Sequence, residues 1–279
     1  MIQIIDIEKR KEEIIELWQE SFGDSPEYIN FFLKNCPSVC IGTISDEHLV
    51  SMLFLLDGKI NNYNVKYIYA ACTDKEYRGR GLMKNQIGFA AEYCNENNSD
   101  GLFLVPAEES LYRYYAEMGF LSLFKRTDAV ITPSNDSIKW VEINETDALN
   151  IRKDLLSGTD CFMFSDEIQK YSFSEHIFCG GKILFYNDNG NHTLIFICKN
   201  DNKTFIKEYL SKNPVKMLKK LPLSANNNKE NIYIRFPIVY NNADIGEEGT
   251  KCGMCLPLNE KFREYIFHRN CFYAGMYLD

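Results

Sequence analysis

The stretch CTDKEYRGRGLMKNQ, Cys72–Gln86, decides how the chain is read. It packs two glycines and two arginines into four residues, after the apolar and aromatic run YIYAAC and ahead of GLMKNQIGFAAEYCNEN. In that second segment Leu82, Ile87, Ala90, Ala91 and Cys94 are spaced as one face of a helix. The pattern predicts a strand, a turn and a helix, with the glycines at the last junction. Unpaired N–H groups in a helix's first turn carry partial positive charge and suit a pyrophosphate. Glycine lets a ligand approach them without a Cβ in the way. Arg78, Arg80 and Lys84 add full positive charges at the same helix end, which disfavours an isolated helix by roughly 0.3–1 kcal/mol each. A bound polyanion reverses that sign. The plainer alternative is a polar surface turn.

Spacing separates the phosphate-binding loops. A nucleotidase P-loop needs GxxxxGK[ST], and no glycine here is followed by that dipeptide. A dinucleotide loop needs GxGxxG; Gly79 and Gly81 supply the first two glycines, but Lys84 stands at the third. Both readings fall.

Outward from the loop, EEIIELWQESFG reads as an amphipathic helix stopped by Gly23. Ser25 and Pro26 suit the cap and first position of a second helix, EYINFFLKN. Strands are predicted in SVCIGTIS, HLVSMLFLLDG and KINNYNVKYIYAACT, with breaks at Asp46-Glu47, Asp57-Gly58 and Asn61-Asn62. GLFLVP reads as a short buried strand, ESLYRYYAEMGF as a helix closed by Gly119, and FLSLFKRTDAVIT as strand again. The order implies an α/β fold, a mixed twisted sheet with helices on both sides. TPSNDS (132–137) gathers turn residues and divides the chain into domains at 1–132 and 138–279. The second domain has helical segments, a hairpin turning at NDNG, a helix at NKTFIKEYLSKN and a strand at NIYIRFPIV. It echoes the first without the glycine loop, and reads as a degenerate duplicate shaping the acceptor pocket.

A chain of 279 residues with 45% hydrophobic and 25% charged residues is a globular protein. Its apolar runs fall short of the ~20 residues that span a bilayer, and MIQIIDIEKRKEE lacks the apolar core of a secretion signal. The expectation is a cytosolic protein with no membrane partner. A formal net charge of −8 opposes binding to nucleic acid and favours cationic small molecules. The ten cysteines are scattered through apolar segments, as buried thiols would be. CGMC, with Cys252 and Cys255, has no second pair to complete a zinc site, and the four histidines are far apart, so no metal is expected.

YRGRGLM after a strand, followed by YYAEMGF after a second strand, resembles the GCN5-related N-acetyltransferase (GNAT) family over residues 1 to 130. The family's acyl-CoA motif, [RQ]-x-x-G-x-[GA], is matched by Arg78 and Gly81, while Met83 departs from its final small residue. The resemblance implies acetyl-CoA as co-substrate. Ala71, Cys72 and Thr73 would offer backbone hydrogen bonds to the pantetheine arm. The loop Arg78, Gly79, Arg80, Gly81, Leu82, Met83 and Lys84 would hold the pyrophosphate. The splayed end of GLFLV would open the slot for the thioester. It also implies transfer to a primary amine of a small, cationic acceptor by direct attack. The family's usual tyrosine precedes the Gly-Phe pair by four residues, which selects Tyr115 among Tyr112, Tyr114 and Tyr115 as the acid. A phenol of pKa about 10 is protonated at neutral pH and can donate to the departing sulfur.

The amine, with a pKa of about 10.4, needs a base. Glu108 and Glu109, between strand and helix, are candidates, although both also suit a helix N-terminus. A linked, two-domain subgroup called Eis-like directs a terminal carboxylate into its pocket, and AGMYLD offers Asp279 by that analogy. A non-catalytic acyl-CoA sensor is the alternative from another class.

Overall fold

The computed structural model describes residues 1–132, 138–200, 203–218, 220–222, 231–237, 249–269, 272–276 and 278. The chain forms two compact units. The first comprises Met1–Leu123 and Gly253–Asn270, the second Phe124–Cys252 and Cys271–Asp279. Each unit is therefore discontinuous, whereas the sequence suggested two continuous domains, 1–132 and 138–279. The difference comes from two strands, each of which leaves the half of the chain that encodes its neighbours.

The first unit opens with β1 (Ile2–Ile4), α1 (Lys11–Phe22) and α2 (Pro26–Asn35). Gly23 ends α1 in the left-handed region at φ 77°, and Ser25 accepts a hydrogen bond from Tyr28 N to start α2. Then follow β2 (Val39–Ser45), β3 (His48–Ile60) and β4 (Tyr63–Thr73) as an antiparallel set. β3 runs through Asp57-Gly58, where the sequence suggested a break: Asp57 faces Lys66 across the ladder and Gly58 faces Val65, so pairing carries the strand on to the turn at Asn61-Asn62. α3 (Leu82–Glu96), β5 (Gly101–Leu104) and α4 (Glu109–Ala116) complete the N-terminal run.

β6 (Leu121–Ile131) crosses from the first unit into the second at Phe124. The second unit continues with β7 (Val141–Glu142), α5 (Glu145–Leu155), β8 (Cys161–Phe164), α6 (Asp166–Phe178), β9 (Lys182–Asp188) and β10 (Asn191–Asn200). The hairpin between β9 and β10 turns where the sequence placed it, with Asn189 and Gly190 both at positive φ. β11 (Lys203–Ser211), α7 (Pro214–Leu218) and β12 (Ile232–Pro237) follow. β13 (Thr250–Pro257) re-enters the first unit at Gly253, α8 (Glu260–Phe267) belongs to that unit, and β14 (Tyr273–Ala274) to the second.

The segment NKTFIKEYLSKN, expected as a helix, is strand β11. It pairs with β10 on one side and β12 on the other, so tertiary pairing overrides the helix preference of its Lys, Glu and Leu residues. With that correction the two units show one topology. In each, two helices precede three antiparallel strands, and a helix leads to a strand parallel to the third: β5 to β4, β12 to β11. An antiparallel strand from the other half of the chain then follows, β13 beside β5 and β6 beside β12.

The first unit's core joins Ile41, Leu53, Leu55 and Ile68 of the sheet to Ile87, Ala90 and Cys94 of α3 and to Tyr115 of α4. On the opposite side Trp18 and Phe32 pack against Phe54 and Tyr69 at ring distances of 5.0–5.5 Å. The second unit buries an ion pair. Arg152 of α5 donates to both carboxylate oxygens of Glu208 at 2.7 and 3.0 Å and to Gln169 Oε1 at 2.7 Å, while the Tyr273 hydroxyl donates to Glu208 at 2.9 Å. These bonds satisfy charges that burial would otherwise make costly, and they tie the tail segment at Tyr273 to α5 and β11. Cys252 and Cys255 are buried, and burial pushes the Cys252 thiol up to about 12 and the Cys255 thiol up as well, as expected of structural cysteines.

His176 of α6 lies buried beside Phe196 and packs so closely on Gly181 that a Cβ there would meet the ring at 2.4 Å. Burial lowers its pKa from 6.5 to about 4. At pH 7 the ring is neutral both folded and unfolded. As the pH falls through 6.5, the unfolded chain gains a proton that the folded chain refuses until about pH 4, so stability is lost across that window. The loss at pH 5 is about 2 kcal/mol. Urea unfolding at pH 7 and pH 5 should show this excess loss in the natural chain and not in His176→Gln; equal losses in both would remove His176 as the cause.

Candidate active site

The loop after β4 is built by its own backbone. Asp74 caps a single 3₁₀ turn, Lys75–Tyr77, by accepting from Glu76 N at 2.8 Å. Arg78 Nε donates to Thr73 O at 2.9 Å, and Arg80 donates to Glu76 O at 2.9 Å while its guanidinium lies 4.8 Å from the Tyr77 ring. Gly79 and Gly81 sit at φ 76° and 74°, a region costly for residues with a Cβ, and an added Cβ at either would meet nothing within 4 Å. Among the described residues, the space above both glycines is therefore open. Gly81 is the N-cap of α3, where no side chain caps the helix and no acidic residue stands in the first turn. The N–H groups of Leu82, Met83 and Lys84 form the first turn of α3 directly after Gly81, and Arg80 and Lys84 on either side of it are exposed. This cradle fits a pyrophosphate.

Met83 is half-buried against the core cluster, so the larger residue at this turn is taken up by packing. Gln86, one turn further on, is buried and bonded to Ile41 O and Thr43 Oγ1, which pins α3 to β2.

β4 and β5 pair in parallel only from Val65↔Gly101 to Tyr67↔Phe103. Beyond that point β4 runs on to Thr73 and, among the described residues, pairs with β3 alone, which leaves its other edge from Ile68 to Thr73, including Ala71, open. A bulge falls here: Met52 and Phe54 face Cys72 and Tyr69, leaving Ala70 and Ala71 opposite one residue, with Ala70 at φ 47°. Ser51, fully buried, donates to Cys72 O and bonds Thr73 Oγ1, both at 2.9 Å, and so fixes the strand end. Ser51 and the Ala70 bulge escaped the sequence reading; the pair Ala70-Ala71 within an aromatic strand was their only mark. Cys72 is buried, and burial pushes its thiol up to about 12, which keeps it a thiol.

Among the three tyrosines of α4, Tyr112 is half-buried, Tyr114 is 37% exposed and Tyr115 is 9% exposed. Tyr115 packs with Ile68 of β4 and with Leu102 and Leu104 of β5, the strands that part, and edge-on to Phe120 at 5.7 Å. Burial pushes its phenol up to about 12, so it stays protonated at neutral pH. Glu108 is the N-cap residue of α4, exposed, and accepts from Ser110 Oγ at 3.2 Å; Glu109 is exposed beside it. Asp279 lies outside the described residues, although Ala274, Met276 and Leu278 leading to it are buried. Among the described residues no cluster of His, Cys, Asp and Glu has a metal-binding arrangement, and no helix is long and apolar enough to cross a membrane.

In the second unit the position that corresponds to the loop follows β11. There the chain reads SKNPVKML, and no glycine occurs from Asn191 to Ile245. The cradle is absent from the duplicate.

Residues 7–120 match an acetyltransferase (GNAT) domain. No curated protein matches the chain. Among solved structures, Eis1 from Mycobacterium abscessus is similar with a TM-score of 0.68 at 9% identity, covering 95% of this chain and 75% of its own. A GCN5-related N-acetyltransferase from Kribbella flavida gives 0.66 at 11% identity, covering 92% of this chain and 72% of its own. A tandem GNAT protein from the clavulanic acid biosynthesis pathway gives 0.54 at 10% identity, covering 93% of this chain and 99% of its own. At such identities the likeness is one of fold, and it spans both units. Together with the loop after β4 and the parting of β4 from β5, the match places residues 7–120 in the GNAT family of acetyltransferases, within a chain whose fold is that of two-domain GNAT proteins.

Proposed function

We propose that the chain transfers the acetyl group of acetyl-CoA to a primary amine of a small, cationic acceptor. The observation that carries this reading is the cradle at Arg78–Lys84, open above two left-handed glycines, beside a strand edge that β5 leaves unpaired. Acetyl-CoA supplies the acyl group as a thioester. The N–H groups of Leu82, Met83 and Lys84 bind its pyrophosphate, and Arg80 and Lys84 add charge. The open edge at Ala71, Cys72 and Thr73 orients the pantetheine arm as an added strand would be oriented.

The acceptor attacks directly, because a Cys72 thiol held near 12 is not a nucleophile at neutral pH. Tyr115 holds the proton that the departing thiolate needs. The acceptor's proton goes to a carboxylate: Glu108, exposed at the end of β5 where water reaches it, or Asp279 at the chain's end. The net charge of −8 draws a cationic acceptor to the protein.

Release of free CoA thiol from acetyl-CoA, measured against polyamines, aminoglycosides and peptide N-termini, tests this. The expected result is release that depends on at least one amine. Binding of acetyl-CoA without release for any amine would favour the sensor.

A further inference from the structure

Arg80 reaches backward from the glycine loop. Its Nη2 donates to Glu76 O at 2.9 Å, and its guanidinium lies 4.8 Å from the centroid of the half-buried Tyr77 ring. Glu76 and Tyr77 belong to the 3₁₀ turn that precedes the loop, whereas the first-turn N–H groups of α3 follow Gly81. The charge of Arg80 is thus held over the turn, set back from the helix end that suits a pyrophosphate.

An arginine confined to one arrangement gives up rotamer freedom. The stack on Tyr77 and the bond to Glu76 O offset that loss. A guanidinium carries five N–H donors, and this bond uses one of them. Arg78 is tethered in the same manner, with Nε donating to Thr73 O at 2.9 Å and its two terminal nitrogens left for other partners. Both arginines are exposed. Among the described residues, no carboxylate forms an ion pair with Lys75, Arg78, Arg80 or Lys84. The acids of the stretch Cys72–Gln86 are Asp74, which caps the turn, and the exposed Glu76, which lends Arg80 its carbonyl.

A restrained guanidinium set back from the pyrophosphate cradle fits a ligand with a second phosphate group. Coenzyme A carries one on its ribose 3′ oxygen. We propose that Arg80, held in place by Tyr77, recognises this 3′-phosphate, so that the protein distinguishes acetyl-CoA from its 3′-dephospho form. The proposal rests on acetyl-CoA as the co-substrate and adds to it a specificity-determining residue, Arg80, and a positioning residue, Tyr77. A planar guanidinium offers paired N–H groups to a phosphate, and restraint before binding reduces the entropy lost on binding.

Arg80 also adds charge beside the pyrophosphate, so the decisive quantity is the gap between two ligands rather than a single loss. Calorimetric titration of the full chain with acetyl-CoA and with 3′-dephospho-acetyl-CoA measures it. The natural chain should bind the dephospho form at least about tenfold more weakly. Arg80→Gln should bring the two ligands within about threefold, at unchanged far-UV circular dichroism. Tyr77→Leu, which removes the ring, should also narrow the gap, and Tyr77→Phe, which keeps it, should preserve it. Equal affinities in the natural chain, or a full gap in folded Arg80→Gln, would overturn the proposal and leave acetyl-CoA as the co-substrate. A full gap in folded Tyr77→Leu would overturn the role of Tyr77. Binding of neither ligand would overturn the co-substrate and the proposal together.

Discussion

Gly81→Asp is expected to weaken acetyl-CoA binding at least about a hundredfold, a change of about 2.7 kcal/mol, in a chain that remains folded. Two features separate the effect on the ligand from the effect on the fold. Gly81 lies at φ 74°, so any side chain carries a backbone cost of roughly 1–2 kcal/mol, least for Asn and Asp. Among the described residues, nothing beyond Gly81's own chain neighbours lies within 4 Å of the new Cβ, so no steric penalty is added to that cost. The carboxylate instead projects where the phosphates are proposed to lie, at a helix end that otherwise has no acidic residue. Like-charge repulsion then replaces attraction. Calorimetric titration with acetyl-CoA reads the loss, and the thermal transition without ligand reads the fold. Retained affinity would show that the loop is a surface turn.

Tyr115→Phe is expected to lower turnover about a hundredfold or more while acetyl-CoA affinity stays within about threefold. The phenyl ring keeps its contact with Phe120 at 5.7 Å and its place in the core, so the change removes one hydroxyl and little packing. The phenol, pushed up to about 12, does not ionise between pH 6 and 9. Any limb of the pH–rate profile in that range therefore belongs to another group and should survive the substitution. Unchanged turnover would remove Tyr115 from the chemistry and leave it as a core aromatic.

Elements set by local chemistry were legible in the sequence. Gly23, Ser25 and Pro26 mark the end of one helix and the start of the next, and each does so in the structure. The Asn-Gly turn between β9 and β10 is a signal of the same kind. The loop from Arg78 to Lys84 was legible because two left-handed positions require glycine. What escaped was set by pairing partners distant in sequence. β11 looked helical because Lys, Glu and Leu favour helices, and only its position between β10 and β12 makes it a strand. The exchange of β6 and β13 between the units had no local mark at all, which is why two continuous domains were expected. In the site, Tyr115 was set apart from its neighbours only by the family resemblance, through its place four residues before Gly119. The Ala70 bulge and the Ser51 bonds to Cys72 and Thr73 depend on cross-strand register, which no single segment encodes.

The most direct test of the account is titration of the natural chain with acetyl-CoA beside S-acetylpantetheine, which carries the same thioester without the pyrophosphate. If the glycine cradle is the anchor, acetyl-CoA binds at one site and S-acetylpantetheine at least about a hundredfold more weakly. Equal affinities, or no binding of acetyl-CoA, would contradict the assignment of Arg78–Lys84 as a pyrophosphate site.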